Sequence, residues 1–497
     1  MNSPLRFTLL AALLAPALFA AATGRPPNIV FLLADDLGQR DLGAYGSTFY
    51  ETPHLDRLAR EGARFTQAYA ACPVCSPTRA SIITGKYPQR TGITDFIGAP
   101  QPAAFRRNTR LVPAPYALGL ELTETTLAEA LKPAGYATCF AGKWHLGPAG
   151  QWPENQGFDV NIGGNEKGGP YGGDRYFSPY GNASIPDGPK GEHLPDRLAA
   201  EATKFIAANK ARPFLVYLPF YDVHTPLMAR ADLRAKYEEK RARVAPKTQW
   251  AKEGERDVRH TQNHAVYAGM VEAMDLAVGK IMQALRDHGV ERDTIVVFTS
   301  DNGGLSTSEG WPTSNLPHRA GKGWLYEGGV REPLIVRWPA RIAAGKVIDA
   351  PVSSPDFFPT FLAAAGVALP PDHPRDGVDL LPLLTAGRAL PERALFWHYP
   401  HYGNQGGAPG ASVRRGDWKL IEWFEDGTLE LFNLRLDPGE QKNLAAAEPA
   451  RVQALRAELQ AWQKDVGAKF PTPNSAYDPA KPSGRFAARQ PEPGETR

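Results

Sequence analysis

The run Asn28-Ile29-Val30-Phe31-Leu32-Leu33-Ala34 ends abruptly in two adjacent carboxylates, Asp35-Asp36. An unbroken apolar strand must be covered on both faces, which places it inside a largely parallel sheet and not in an antiparallel sheet with one wet face. The same order recurs along the chain. Thr126-Leu127-Ala128-Glu129 forms a capping box that opens a helix, Gly135 closes it, and Tyr136-Ala137-Thr138-Cys139-Phe140-Ala141 reads as a strand delivering Lys143 and His145 at its tip. Pro213 to Phe220 is a further strand, followed by His224-Thr225-Pro226. Val266, Met270, Val271, Met274, Val278, Ile281, Met282 and Leu285 recur at helical spacing, so this methionine stripe is core. After Gly289 the strand Thr294-Ile295-Val296-Val297-Phe298-Thr299-Ser300 ends in Asp301-Asn302. Helices alternating with strands predict an α/β fold, a mostly parallel sheet covered by helices on both faces. Ligands of such sheets bind at the carboxyl edge of the strands, where all of these polar tips fall.

At 497 residues the chain suits one large domain and one smaller domain. The large α/β domain is expected over 24–385. Over 386–465 the style changes: Trp418–Phe424 and Leu429–Phe432 flank Glu425-Asp426-Gly427-Thr428 as a hairpin, and Val452, Leu455, Leu459 and Trp462 line a helix. This predicts a small antiparallel sheet-and-helix domain. Residues 466–497, rich in Pro, Ser, Arg and Gly, read as a loose polar tail. Residues 1–23 read as a signal peptide, with Arg6, a short apolar run and small residues, so a periplasmic or secreted protein is expected. No later segment is long and apolar enough to span a bilayer. With 56 basic and 53 acidic residues the formal charge is +3, too near neutral for a nucleic-acid or strongly membrane-attracted protein. Anion binding must be local.

The stretch with the most chemistry is Cys75-Ser76-Pro77-Thr78-Arg79, followed by Ala80-Ser81-Ile82-Ile83-Thr84-Gly85-Lys86-Tyr87-Pro88-Gln89-Arg90-Thr91-Gly92. Cys72-Pro73-Val74-Cys75 is also a C-x-x-C, compatible with a redox pair, a disulfide or half a zinc site, but no second pair completes such a site. The longer C-x-P-x-R pattern with its T-G-x-Y-P-x-R-x-G continuation resembles the signature of the type I sulfatases, with Thr78 where serine is more usual. The resemblance runs from Asn28 to about Leu444, through Asn28–Gly38, Gly321–Arg331, Pro355–Leu362 and Asp376–Leu384. It implies an alkaline-phosphatase-like large domain and hydrolysis of sulfate esters by formylglycine made from Cys75, with a formylglycine-generating enzyme as a maturation partner. The hydrated aldehyde attacks sulfur with one hydroxyl, and deprotonation of the other expels sulfate. A thiol has no such exit.

Asp35, Asp36, Asp301 and Asn302 are a hard oxygen set with no soft ligand, which favours calcium or magnesium over zinc. The resemblance favours calcium, with residue 75 completing the shell. It further implies that Lys143, His224 and Lys322 hold the sulfate, that His224 or Lys322 protonates the leaving oxygen, and that His145 takes the proton from the second hydroxyl. Arg79, at i+4 from Cys75, is expected to face the modified residue and its bound anion. Phe396-Trp397-His398-Tyr399-Pro400-His401-Tyr402-Gly403-Asn404-Gln405 mixes aromatics, histidines and amides, suited either to sugar contact through His398 and His401 or to packing between the two domains. This segment, with Ser412-Val413-Arg414-Arg415-Gly416-Asp417-Trp418-Lys419-Leu420, is similar to secreted bacterial sulfatases of sulfated polysaccharides, implying a galactose-type sugar. Two rivals stand beside that reading: a phosphodiester or phosphonate monoester hydrolase, and a non-catalytic binder of sulfated glycans whose cysteine is never modified. The states of Cys72 and Cys139 stay open.

Overall fold

The computed structural model describes residues 25–481 and 483–484; the leader expected at 1–23 lies outside the described residues. Nine strands form the main sheet: β1 (Asn28–Ala34), β2 (Ala63–Tyr69), β3 (Ala137–Ala141), β4 (Val160–Ile162), β5 (Phe214–Pro219), β6 (Thr294–Ser300), β7 (Arg331–Arg337), β8 (Lys346–Ile348) and β9 (Val352–Ser353). Their order is β8-β2-β7-β6-β1-β5-β3-β4, with β9 also on β2. Only β7 runs against the rest, pairing antiparallel with both β2 and β6. Its start therefore lies at the edge where the other strands end. Segments before β7 and after β1, β2, β3, β5 and β6 all meet at that one edge.

Both faces of β1 are dry, as its sequence requires. Val30, Leu32 and Ala34 pack into one core layer with helices α1 (Pro53–Glu61), α4 (Leu194–Asn209) and α5 (Ala265–Asp287). Ile29, Phe31 and Leu33 pack into the other with α2 (Cys75–Thr84), α3 (Leu127–Leu131) and α6 (Phe357–Ala365). Each fully buried Val, Leu, Ile or Phe contributes about 1.5–3 kcal/mol, so the central strands are fixed by many such burials. The methionine stripe of α5 is core, with Met270 and Met274 fully buried. At α3 the capping box forms as expected: Thr126 accepts from the Glu129 backbone N–H, and Glu129 accepts from that of Thr126.

A second, antiparallel sheet follows: β10 (Ala394–Tyr399), β11 (Gly410–Arg415), β12 (Trp418–Trp423) and β13 (Leu429–Asn433). One face packs on α7 (Pro449–Asp465) through Leu455, Leu459 and Trp462. The other packs on Tyr69, Val74, Trp324, Tyr326 and Val330 of the large sheet's polar edge. Fully buried Lys419 of β12 bonds Glu327 and Glu440, each at 3.0 Å, so a charged cluster pins this seam.

The stretch read as a loose tail is partly tied down. Thr472-Pro473 pairs with Leu111-Val112, and the Asn474 N–H donates to Arg110 O at 2.9 Å. A polar composition hid this because the pairing partner lies about 360 residues away.

Candidate active site at the carboxyl edge of the sheet

The strand tips supply the polar groups, one or two from each. Asp35 and Asp36 leave β1, Lys143 and His145 leave β3, His224 follows β5, Asp301 and Asn302 leave β6, and Lys322 precedes β7. Cys75 is the first residue of α2, which Gly85 closes with φ 69°. Its Sγ therefore sits at a helix N-terminus, whose exposed N–H groups and dipole favour negative charge. Asp36 and His145 both have positive φ, 63° and 57°. Non-glycine residues hold that conformation at a cost, and such strain clusters where side chains are aimed for function.

Three carboxyl groups face three cationic side chains. Lys143 donates to Asp35 Oδ2 at 2.6 Å, and Lys322 lies 2.7 and 2.8 Å from the two oxygens of Asp36. Arg79 donates from Nε to Asp301 Oδ2 at 2.8 Å, pairs with that oxygen through Nη2 at 2.7 Å, and donates from Nη1 to Lys143 O at 2.8 Å. Arg79 is thus committed to Asp301 and to the β3 tip. It does not line the cavity beside Cys75, contrary to the expectation that it faces the bound anion. Its helical register turns it under the strand ends, where it holds the acids in place. Lys143 is likewise spent on Asp35 and does not line the cavity.

Burial pushes the Asp35 carboxyl well up, more than Lys143 pulls it down. Burial acts on Asp36 too, but Lys322 and His224 outweigh it and hold that carboxyl below its ordinary range. Neighbouring carboxyls driven in opposite directions mark a site built for charge. Two buried oxygens here, Asp35 Oδ1 and Asn302 Oδ1, accept no hydrogen bond, although Asn302 donates to Asp36 Oδ1 at 2.8 Å. Buried acceptors without a donor are costly, and a hard cation satisfies them. Asp301 Oδ1 accepts from the Asp36 N–H, which brings the expected ligand set together. Asp35, Asp36 and His224 also offer ligand atoms within 4.8 Å of one another.

His145 Nδ1 lies 3.5 Å from Cys75 Sγ, and its Nε2 lies 2.7 Å from Ile97 O. A carbonyl can only accept, so Nε2 carries the proton and the Nδ1 lone pair faces residue 75. Burial, with Lys143 beside it, drives the His145 pKa far down and keeps the ring neutral. His224, buried beside Lys143, is lowered to about 4. Burial raises the Cys75 thiol. Cys72, Cys75 and Cys139 are all buried and free, so no disulfide forms among them.

Cys75, His145, His224 and Lys322 open on a cavity of about 360 Å³. Its outer wall holds Phe96, Ile97, Tyr171, Glu309, Asn404 and Gln405. His398 and His401 are not there. His398 is buried between α7 and the segment after it, accepting from Gln463 Nε2 and donating to Lys469 O. His401 is buried on Thr94, 3.6 Å from Asp95. His398 packs the α7 face of the small sheet and His401 the seam with the large domain, and the amides of the same segment reach the cavity instead. Tyr171 and Glu309 escape sequence reading because they sit in glycine- and serine-rich loops without pattern.

The Sulfatase family matches residues 27–367, well over half of the chain. The chain belongs to the sulfatase family. A second match, to the N-sulphoglucosamine sulphohydrolase C-terminal family, covers residues 320–465. The chain is 33% identical to N-acetylgalactosamine-6-sulfatase of Canis lupus familiaris, over 93% of this chain and 85% of the relative. It is also 33% identical to steryl-sulfatase of Mus musculus, over 80% and 72%. Among solved structures, Ps i-CgsB in complex with k-i-k-neocarrahexaose superposes with a TM-score of 0.72 at 29% identity, over 90% of this chain and 95% of that one. The sulfatase is thus a sulfuric ester hydrolase with an alkaline-phosphatase-like α/β domain, as its motifs implied. No helix among the described residues is long and apolar enough to cross a membrane.

Proposed function

We propose that this sulfatase removes sulfate from a sulfated carbohydrate of galactose type, using formylglycine formed from Cys75 and a calcium ion held by Asp35, Asp36, Asp301 and Asn302. The observation that carries the reading is the convergence on Cys75 of His145 at 3.5 Å and of the strand tips bearing those acids. A hard divalent cation there supplies Lewis-acid polarisation of a sulfate oxygen and favours ionisation of the nucleophile. The remaining steps belong to the chain. The α2 N-terminus, His224 and Lys322 attract the sulfate, and Arg79 and Lys143 keep the acids in place. Lys322 gives a proton to the departing oxygen, or His224 does so once bound sulfate has drawn a proton onto Nε2, the nitrogen left bare by the bond from Nδ1 to Thr225 O. Neutral His145 takes a proton from residue 75 at Nδ1, the nitrogen left unprotonated by the bond to Ile97.

The sugar assignment draws on a relative named N-acetylgalactosamine-6-sulfatase, on a similar structure solved in complex with k-i-k-neocarrahexaose, and on the polar residues lining the cavity. Maturation requires a formylglycine-generating enzyme, and the leader at 1–23 fits export to the periplasm or medium. The test is the mass of the tryptic peptide containing residue 75, from protein made beside a converting enzyme, together with turnover of an aryl sulfate and an aryl phosphodiester. Formylglycine and faster sulfate release support the reading. Cys75→Ala should reduce sulfate release at least a thousandfold, and wild-type turnover in that variant removes the nucleophile assignment.

A further inference from the structure

Between Ser306 and Trp311 the chain makes a tight loop that carries Glu309 into the cavity wall. Glu309 and Trp311 both have positive φ, 53° and 43°. The loop is held from outside. Arg259 donates from its backbone N–H to Ser306 O and from Nη1 to Trp311 O, and Arg256 donates from Nε to Thr307 O. Arg256 also donates from Nη2 to Asn404 O at 3.1 Å, so one guanidinium ties two segments of the wall together. A strained backbone held this firmly is pre-set for a ligand and does not form around one.

Asn404 Nδ2 and Gln405 Nε2 both donate to Glu309 Oε1, each at 2.7 Å. Gln405 is 2% exposed, lines the cavity, and its Oε1 accepts no hydrogen bond. A buried amide oxygen left unsatisfied at a cavity wall calls for a donor from a ligand. Tyr171 stands at the same cavity, half exposed, its ring 6.3 Å from that of His224 and inclined to it by 72°. The wall therefore offers acceptors and an aromatic face, the groups that bind sugar hydroxyls and sugar C–H faces. Among the residues lining the cavity the only lysine or arginine is Lys322, and it is already paired with Asp36.

We propose that Glu309, Asn404 and Gln405 read the sugar that carries the sulfate ester, and that the Glu309 carboxylate selects a sugar bearing no second anionic group. The proposal rests on the carbohydrate-sulfatase reading above and adds the charge class of the substrate. A hydroxyl near the ester donates to Glu309 or Gln405. A carboxylate or second sulfate in that place meets like charge with no spare cation to answer it.

The experiment compares kcat/KM of the mature enzyme on p-nitrophenyl sulfate, a monosulfated neutral galactoside, and a sulfated disaccharide carrying a uronate. The expected wild-type preference is at least tenfold for the neutral sugar over the uronate substrate. Glu309→Gln, which keeps shape and removes charge, should lower that preference at least fivefold. Gln405→Leu should raise KM for the neutral sugar at least fivefold with kcat changed less. An unchanged preference in Glu309→Gln overturns the proposal, as does wild-type preference for the uronate substrate. Turnover of p-nitrophenyl sulfate with none of either sugar overturns it while the sulfatase reading stands. Failure on all three refutes the sulfatase reading itself.

Discussion

Replacing Arg79 with alanine isolates what holds the acidic strand tips together. Arg79 is 2% exposed, pairs with Asp301 at 2.7 and 2.8 Å, and donates to Lys143 O at 2.8 Å. Hydrogen bonds to charged groups contribute about 1.5–3 kcal/mol each when removed singly, but bonds from one guanidinium are not additive. Breaking a buried pair on one side costs about 3–5 kcal/mol because the surviving charge stays buried. With total stability of roughly 5–15 kcal/mol, that is a large share. The assay is urea unfolding followed by tryptophan fluorescence, in chelator so that only protein groups contribute. Arg79→Ala should lose about 3–5 kcal/mol. Arg79→Lys, which keeps the charge but not the fork, should lose about half as much. Adding Asp301→Asn to Arg79→Ala should recover at least about 1 kcal/mol, since it removes the stranded charge. A loss below about 1 kcal/mol in Arg79→Ala, with no coupling to Asp301, would refute the positioning role.

Metal removal gives a second test. Dialysis against chelator should lower Tm, and calcium at 100 times its Kd should restore about 2.7 kcal/mol, a response that Asp301→Ala abolishes. A Tm indifferent to both treatments would remove the cation site. His398 gives a pH test away from the chemistry. Burial lowers its pKa to about 4, against about 6.5 when unfolded. Between those values the unfolded chain binds more protons, so stability is full above pH 6.5 and falls as pH drops toward 4, by up to about 3 kcal/mol. His398→Phe should flatten that part of the curve of urea midpoint against pH, while KM for a sugar sulfate stays put; a changed KM with an unchanged slope would return His398 to the substrate.

Four of the nine strands of the large sheet, and the polar edge they share, are legible in the apolar runs of the chain. Strands such as Asn28–Ala34 and Thr294–Ser300 are continuous apolar runs, and a run buried on both faces has one architecture open to it. Because such runs end in polar residues, Asp35, Asp36, His145 and Asp301 fall on one rim, whereas Cys75 joins them only through its motif, since the strand before it, Ala63–Tyr69, is no continuous apolar run. Which partner each charged side chain takes emerges only from the packing. Arg79 and Lys143 turned from the anion to the acids, His398 turned from the sugar to α7, and His401 turned to the seam. Glu309 and Tyr171 came into the cavity from loops whose local sequence has no period. The reason is physical: periodicity records burial along one element, whereas hydrogen-bond partners such as Glu309 and Gln405 lie 96 residues apart in sequence. Only packing brings such groups within 2.7 Å.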